Sequence, residues 1–158
     1  KKEIRKKGKK YYHKNKSWLL EKSKKYMRRR YASDVDYKLI MTIRGHANRL
    51  ARAVKQKKKL RSIEYLGCPL KHFKTHIEKQ WQKGMSWQNH QADGWHLDHK
   101  IPISWFVKNS DDPWKANHFL NLQPLWAADN LTKKATVDKK TLKKVLKQIK
   151  DYEDKQKS

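Results

Sequence analysis

Two short stretches, WHLDHKIPISWF (residues 95–106) and FLNLQPLWAADNLTKK (residues 119–134), decide the fold of this chain. Each contains an apolar run that suits a β-strand, and a polar segment separates them. His99 closes the first run, Asn121 opens the second run 22 residues later, and Asn130 follows nine residues beyond it. The pattern predicts a strand near 95–101, a long loop that includes 109–117, a strand near 120–125 and a helix over about 127–135.

Asp98, His99 and Asn130 form a compact set of ligands and a base that suits hydrolysis of a phosphodiester bond. An unperturbed histidine has a pKa of about 6.5, so it is neutral near pH 7 and can accept a proton from water. Asp98 offers a carboxylate oxygen and Asn130 an amide oxygen, the hard ligands that Mg²⁺ prefers and Mn²⁺ accepts. We therefore predict His99 as the general base, and Asp98 and Asn130 as ligands of a divalent metal, most simply Mg²⁺.

The same residues stand in a pattern that resembles the HNH (His-Me finger) nucleases, in particular small phage-type and homing-type HNH endonucleases. DH-x-x-P begins at Asp98, NLQPLW at Asn121 and DN-x-x-K at Asp129. The similarity is looser over residues 62–87 and mostly compositional before them. The resemblance implies an α+β fold in which a ββα-metal HNH finger is embedded among basic amphipathic helices.

The resemblance also assigns roles that spacing alone leaves open. It implies that Asn121 supports catalysis by holding the loop that orients His99, and that Asn130 replaces the last His of the family while keeping an oxygen ligand. Taken singly, Asn130 is compatible with a helix cap and Asn121 with a turn. The joint pattern favours the nuclease interpretation.

Three neighbouring residues remain open between a functional and a structural role. Alternation in the first strand places His96 on the same face as Asp98, where it either approaches the DNA or the metal or lies on a solvated face. Lys133 and Lys134 follow Asn130 and either add positive charge beside the scissile phosphate or only cover the surface.

Positive charge is the second strong signal. The chain has 41 Lys and Arg against 15 Asp and Glu, a net charge of +26, and residues 1–61 hold 24 basic and 4 acidic side chains, or +20. Such a field binds phosphate backbones through counterion release. RNA and anionic membranes fit the charge as well, but the nuclease motif favours double-stranded DNA. The candidate DNA-binding residues are Lys24, Lys25, Arg28, Arg29, Arg44, Arg49 and Arg52, with Lys133 and Lys134.

The order of segments predicts a basic helical DNA-binding extension over 1–61 and a nuclease domain over 62–158, with the ββα-metal core at about 95–136. Residues 1–33 contain a weak repeat, KKYYHK at 9–14 and KKYMRR at 24–29, which suits a basic helix on DNA, an arm that folds on DNA, or an exposed helix. Apolar residues at helical spacing predict further helices over 36–59, from Pro69 to about Gln82, and from Asp138 onward, the last packing on the finger or lying along DNA.

Composition limits the remaining possibilities. The mean hydropathy is −1.18 and 36% of residues are hydrophobic, which predicts one small core surrounded by extended helices. We expect neither a transmembrane helix nor a signal peptide, and a cytoplasmic location, in a bacterial host if a phage encodes the protein. Cys68 is the single cysteine, so we expect no disulfide and no structural zinc, with Cys68 as a small buried residue and the tryptophans stabilising the finger.

The predicted function is that of a metal-dependent, site-specific homing-type HNH endonuclease acting on DNA. Two alternatives stay open: a low-specificity or structure-selective nuclease or nickase, and a catalytically silent DNA-binding protein. One finger cuts one strand at a time, so the protein acts either as a monomer or as a dimer assembled on DNA.

Overall fold

A computed structural model describes the backbone of residues 2–157 and the side chains of residues 5–157. This described part of the chain is α+β and mostly helical, with one antiparallel sheet of two strands. The helices are α1 (Lys2–Ser33), α2 (Val35–Ala53), α3 (Leu70–Glu78), α4 (Ile103–Asn109), α5 (Ala127–Lys133) and α6 (Lys139–Lys157), and the strands are β1 (Trp95–His99) and β2 (Leu122–Trp126).

The chain divides into two compact units, residues 1–39 and residues 40–158. In the first unit, α1 ends at Ser33 and Asp34 starts the next helix, because its carboxylate accepts a hydrogen bond from the backbone N–H of Tyr37 at 2.8 Å. The Arg30 guanidinium also donates to Asp34 at 3.1 Å. The functional boundary predicted between residues 61 and 62 stays a prediction.

In the second unit, β1 pairs with β2 in a register that runs from Trp95 opposite Trp126 to His99 opposite Leu122. Burial alternates along β1, so Trp95, Leu97 and His99 are buried while His96 and Asp98 are half-buried on the other face. The prediction that His96 and Asp98 share a face is therefore confirmed.

One core cluster of the second unit joins α2, α4 and α6 to the segments that flank the hairpin. Leu50 of α2, Ile101, Phe106 of α4, Ala116, and Val145 and Ile149 of α6 form its buried centre. Burial of one such aliphatic side chain contributes about 1.5–3 kcal/mol. The sequence analysis left two positions open for the last helix, either packed on the finger or lying along DNA. The buried Val145 and Ile149 show that α6 packs against the folded unit.

Tryptophans support the start of β1, as the sequence analysis predicted. Trp95 is fully buried, its ring stacks on His90 with centroids 4.3 Å apart, and its Nε1 donates to the carbonyl of Ser86 at 2.7 Å. Gly94 precedes the strand where the backbone passes so close to Asn89 that a Cβ would lie 1.8 Å from the carbonyl oxygen. Cys68 is only half-buried, against the prediction.

Several predicted element boundaries are wrong. The predicted long loop contains α4 and a 3₁₀ helix at Pro113–Asn117. Pro102, with φ −58°, precedes α4, and Phe106 anchors that helix in the core. The helix predicted to reach residue 59 ends at Ala53, and the one predicted to reach Gln82 ends at Glu78.

No helix within residues 2–157 is both long enough and apolar enough to cross a membrane.

Candidate active site

The end of β1 and helix α5 enclose a cavity of about 290 Å³. Asp98 and His99 line it from the strand side, and Asn130 lines it from α5. The cavity wall also includes three basic residues from the sequence-based candidates, namely Arg49, Lys133 and Lys134. The fold thus brings six of the predicted site residues to one place.

His99 ends β1 and is only 6% exposed. Its Nε2 lies 3.3 Å from the Oδ1 of Asn117. Because an amide oxygen only accepts hydrogen bonds, this contact requires the proton on Nε2 and leaves Nδ1 as the acceptor. Burial lowers the pKa of His99 to about 4, so the ring is neutral at pH 7.

Asn121 is fully buried and ties together the two segments on either side of the site. Its Oδ1 accepts from the backbone N–H of Ile101 at 2.8 Å, and its Nδ2 donates to the carbonyls of Ile101 at 3.0 Å and Ala116 at 2.8 Å. Ile101 stands two residues after His99, and Ala116 directly precedes Asn117. Asn121 therefore fixes the backbone on which His99 and its partner stand.

Asp98 is held by two donors that both end on the same carboxylate oxygen. The Oδ2 of Asp98 accepts from the Nε2 of Gln123 at 3.0 Å and from the Nζ of Lys133 at 2.7 Å. The Lys133 ammonium also donates to the backbone carbonyl of His99. A cation thus stands between the carboxylate and the strand end, and neither bond uses the Oδ1 of Asp98.

His96 contacts Asn130 and fixes the orientation of its amide. The Nε2 of His96 lies 3.1 Å from the carbonyl oxygen of Ala92, which can only accept, so the proton sits on Nε2. The Nδ1 of His96 is then an acceptor for the Nδ2 of Asn130, 3.2 Å away. This bond leaves the amide oxygen of Asn130 as the atom that is free to act as a ligand.

Two residues of the site escaped the sequence analysis. Asn117 gave no local signal, because it lies within the polar stretch between the strands. His46 is 5% exposed on α2, with its ring centroid 4.5 Å from that of His99. Burial, with His99 as a secondary cause, lowers the pKa of His46 well below its ordinary value. Its position beside Ala47 on the apolar stripe of α2 was a usable signal.

The residues that line this cavity do not include the other basic candidates. Arg44 and Arg52 are exposed on α2, and Arg52 lines a separate basic cavity of about 820 Å³ with Lys55, Lys57 and Lys58. Lys24, Lys25, Arg28 and Arg29 are exposed on α1, in the first unit.

A metal centre built from several strong ligands is absent from the described part of the chain. No three His, Cys, Asp or Glu side chains come together there in a way that would hold an ion. The oxygen set predicted from the sequence is different in kind, because it consists of one carboxylate, one amide, water and substrate phosphate.

The chain is similar to two uncharacterized proteins of Acanthamoeba polyphaga mimivirus. One is 31% identical over 112 residues, which is 70% of this chain and 48% of the relative. The other is 28% identical over 131 residues, which is 78% of this chain and 56% of the relative. The chain therefore spans about half the length of the curated relatives it matches. No family model and no solved structure matches it.

Proposed function

We propose that the protein is a metal-dependent HNH endonuclease that hydrolyses DNA phosphodiester bonds. The observation that carries this proposal is the single cavity in which a neutral buried histidine, a carboxylate and an amide meet three basic side chains. The order β1, β2, α5 is compatible with the ββα-metal arrangement that the sequence resemblance implies. Site-specific, homing-type cleavage remains the first hypothesis for the whole protein.

In this mechanism His99 accepts a proton from the attacking water through Nδ1, while Asn117 keeps the Nε2 proton in place. The pKa of about 4 reflects burial in the free protein. An anionic phosphate in the cavity would favour the charged form and raise that pKa, which makes the ring a better base when substrate is bound. Arg49 and Lys134 are positioned to attract that phosphate.

The residues present fit a divalent cation. The Oδ1 of Asp98 and the Oδ1 of Asn130 are the hard oxygens that would hold Mg²⁺ or Mn²⁺. The Lys133 ammonium on Asp98 acts as a stand-in, because it shows that this carboxylate attracts a cation. When bound, the metal neutralises negative charge on the scissile phosphate and the leaving 3′ oxygen.

The same ion pair is the observation that favours a silent DNA-binding protein. Lys133 neutralises the carboxylate that a metal requires, at 2.7 Å. A bound metal must therefore displace the ammonium or share the carboxylate with it. Low-specificity or structure-selective cleavage, including nicking by a single finger, is the other alternative.

Incubation of supercoiled plasmid with protein and Mg²⁺ tests the proposal. We expect nicked or linear DNA with 5′-phosphate and 3′-hydroxyl ends, and loss of cleavage in chelator and in Asp98→Ala and Asn130→Ala, because each removes the cation or one of its ligands. Asp111→Ala, a change at an exposed loop residue, is the matched control and should cut normally.

Three outcomes separate the alternatives. Full activity in chelator contradicts the metal assignment. Smeared products without discrete fragments identify a low-specificity enzyme. Tight DNA binding with intact plasmid in Mg²⁺ and Mn²⁺ identifies the silent form.

A further inference from the structure

The exposed aromatic side chains of α1 have no part in the active site. Tyr11, Trp18 and Tyr26 are 59%, 55% and 54% exposed, and Tyr12 and Tyr31 are each 44% exposed. Isolated exposed apolar residues are common on protein surfaces, but exposed rings that share one side of a helix form a surface that suits a partner. Tyr11 and Trp18 are seven residues apart, so they lie on one side of the helix.

Charge excludes most partners for this surface. Within residues 5–33, the described side chains include 13 Lys and Arg and a single acidic residue, Glu21. Two copies of such a helix repel each other strongly, which disfavours self-association through the rings. A polyanion is the complementary partner.

Cations accompany two of the rings at short range. The Lys22 ammonium lies 4.9 Å from the Trp18 ring centroid, and the Lys38 ammonium lies 5.5 Å from that of Tyr31. Because the cation lies over one face of the ring, a base would stack on the opposite face while the phosphate meets the cation. In a fully paired duplex the base faces already stack on one another, so the rings need unpaired bases.

We propose that α1 binds unpaired nucleotides by stacking their bases on Tyr11 and Trp18, which share one side of the helix, with neighbouring lysines on the phosphates. The inference rests on the proposed function for the identity of the polyanion as DNA. It then specifies the substrate class: DNA that contains single-stranded segments, such as a fork, a gap or a flap, is bound in preference to continuous duplex.

Fluorescence anisotropy in chelator tests this preference without cleavage. The full chain is titrated with labelled oligo(dT) of about 20 nucleotides, with duplex of equal length, and with oligo(U). Trp18→Leu and Tyr11→Leu should weaken binding to oligo(dT) by about fivefold or more, which is the lower limit of one lost base stack. Duplex affinity should change little. Leu20→Ala, at an exposed non-aromatic residue of the same helix, is the matched control.

The outcomes of this titration are distinct from those of the plasmid assay. Equal losses for oligo(dT) and duplex, or no loss for either, would overturn the stacking role. Tighter binding of oligo(U) than of oligo(dT) would overturn the assignment to DNA, and a Trp18-dependent dimer in sedimentation would identify a second copy as the partner. If the ring variants lose affinity for oligo(dT) but the wild-type protein does not cleave plasmid, this inference is supported and the proposed nuclease function is contradicted.

Discussion

The helix α1 and the hairpin site hold their charged side chains in two different ways. On α1, Lys24, Lys25, Arg28 and Arg29 are exposed, and their high density is evident from the amino-acid sequence alone. At the hairpin, Lys133 is bonded to Asp98 across 35 residues of sequence, and His99 to Asn117 across 18. The helix thus supplies a charged surface, while the site depends on distances that only the fold provides.

This difference separates DNA binding from catalysis. Exposed basic side chains attract phosphate at long range, and this attraction weakens as the salt concentration rises. A buried histidine in a fixed tautomer contributes little to attraction, but it sets where a proton goes. Changes in the two regions should therefore affect different measurements.

Removal of the proposed general base, His99, should have the largest effect on cleavage. We expect His99→Ala to lower cleavage by about 10²- to 10⁴-fold, the usual contribution of a positioned acid–base group, because the variant lacks the imidazole that accepts the proton. DNA affinity, measured by anisotropy in chelator, should stay nearly unchanged. A parallel loss of binding and cleavage would show that His99 is structural.

Neutralising basic side chains on α1 should have the opposite effect, with weaker DNA binding and little change in cleavage. We expect replacement of Lys24, Lys25, Arg28 and Arg29 by Gln to weaken binding and to flatten the plot of log affinity against log salt. If all four contact duplex phosphate, the slope falls by about 3.6, since each contact contributes about 0.9. Metal-dependent cleavage at saturating protein should persist. An unchanged slope would show that these side chains are only solvated.

The hairpin was predictable because its signal is local. Alternating burial along Trp95–His99 and a second short strand at Leu122–Trp126 follow from neighbouring residues. The helix α4 was missed because the Ile103–Asn109 segment follows a proline and precedes a polar turn, so its one buried anchor, Phe106, gave too little periodicity.

The contacts inside the site were not predictable in the same way. His46 comes from α2 and meets His99 only after the core has assembled. Asn117 has no feature that distinguishes it from its polar neighbours before Asn121 fixes the adjacent backbone. Spacing identified the residues that chemistry requires, but it gave no information on the residues that orient them.

Substitution of Asn117 tests how the His99 ring is oriented, and its expected effect on cleavage is smaller. Outer-shell partners of catalytic groups typically contribute about 10- to 100-fold, so Asn117→Ala should lower cleavage within that range. It should also shift the acidic limb of the pH–rate profile, because the Nε2 proton loses its acceptor. Asn109→Ala, at an exposed residue whose amide bonds only within its own helix, is the control. An unchanged pH profile would mean that Asn117 only fills space.

The smallest expected effect concerns the stability of the second unit, where several histidines are buried. Burial lowers the pKa of His76 and of His118 to about 4, below the value of about 6.5 expected in the unfolded chain. Between pH 6.5 and 4 the unfolded chain therefore binds protons that the folded chain does not, so stability is greatest above pH 6.5 and falls as the pH decreases.

A urea denaturation series from pH 7.5 to pH 5, followed by circular dichroism, measures this loss. His76→Phe isolates one contributor, because it keeps a ring against Phe119 and removes the titrating group, whose buried Nε2 has no hydrogen-bond partner. We expect this variant to lose about 1 kcal/mol less than the wild type over the same pH interval, a value reduced from the full pKa shift because His76 is only half-buried. Parallel losses in the two proteins would show that His76 titrates alike in the folded and unfolded states.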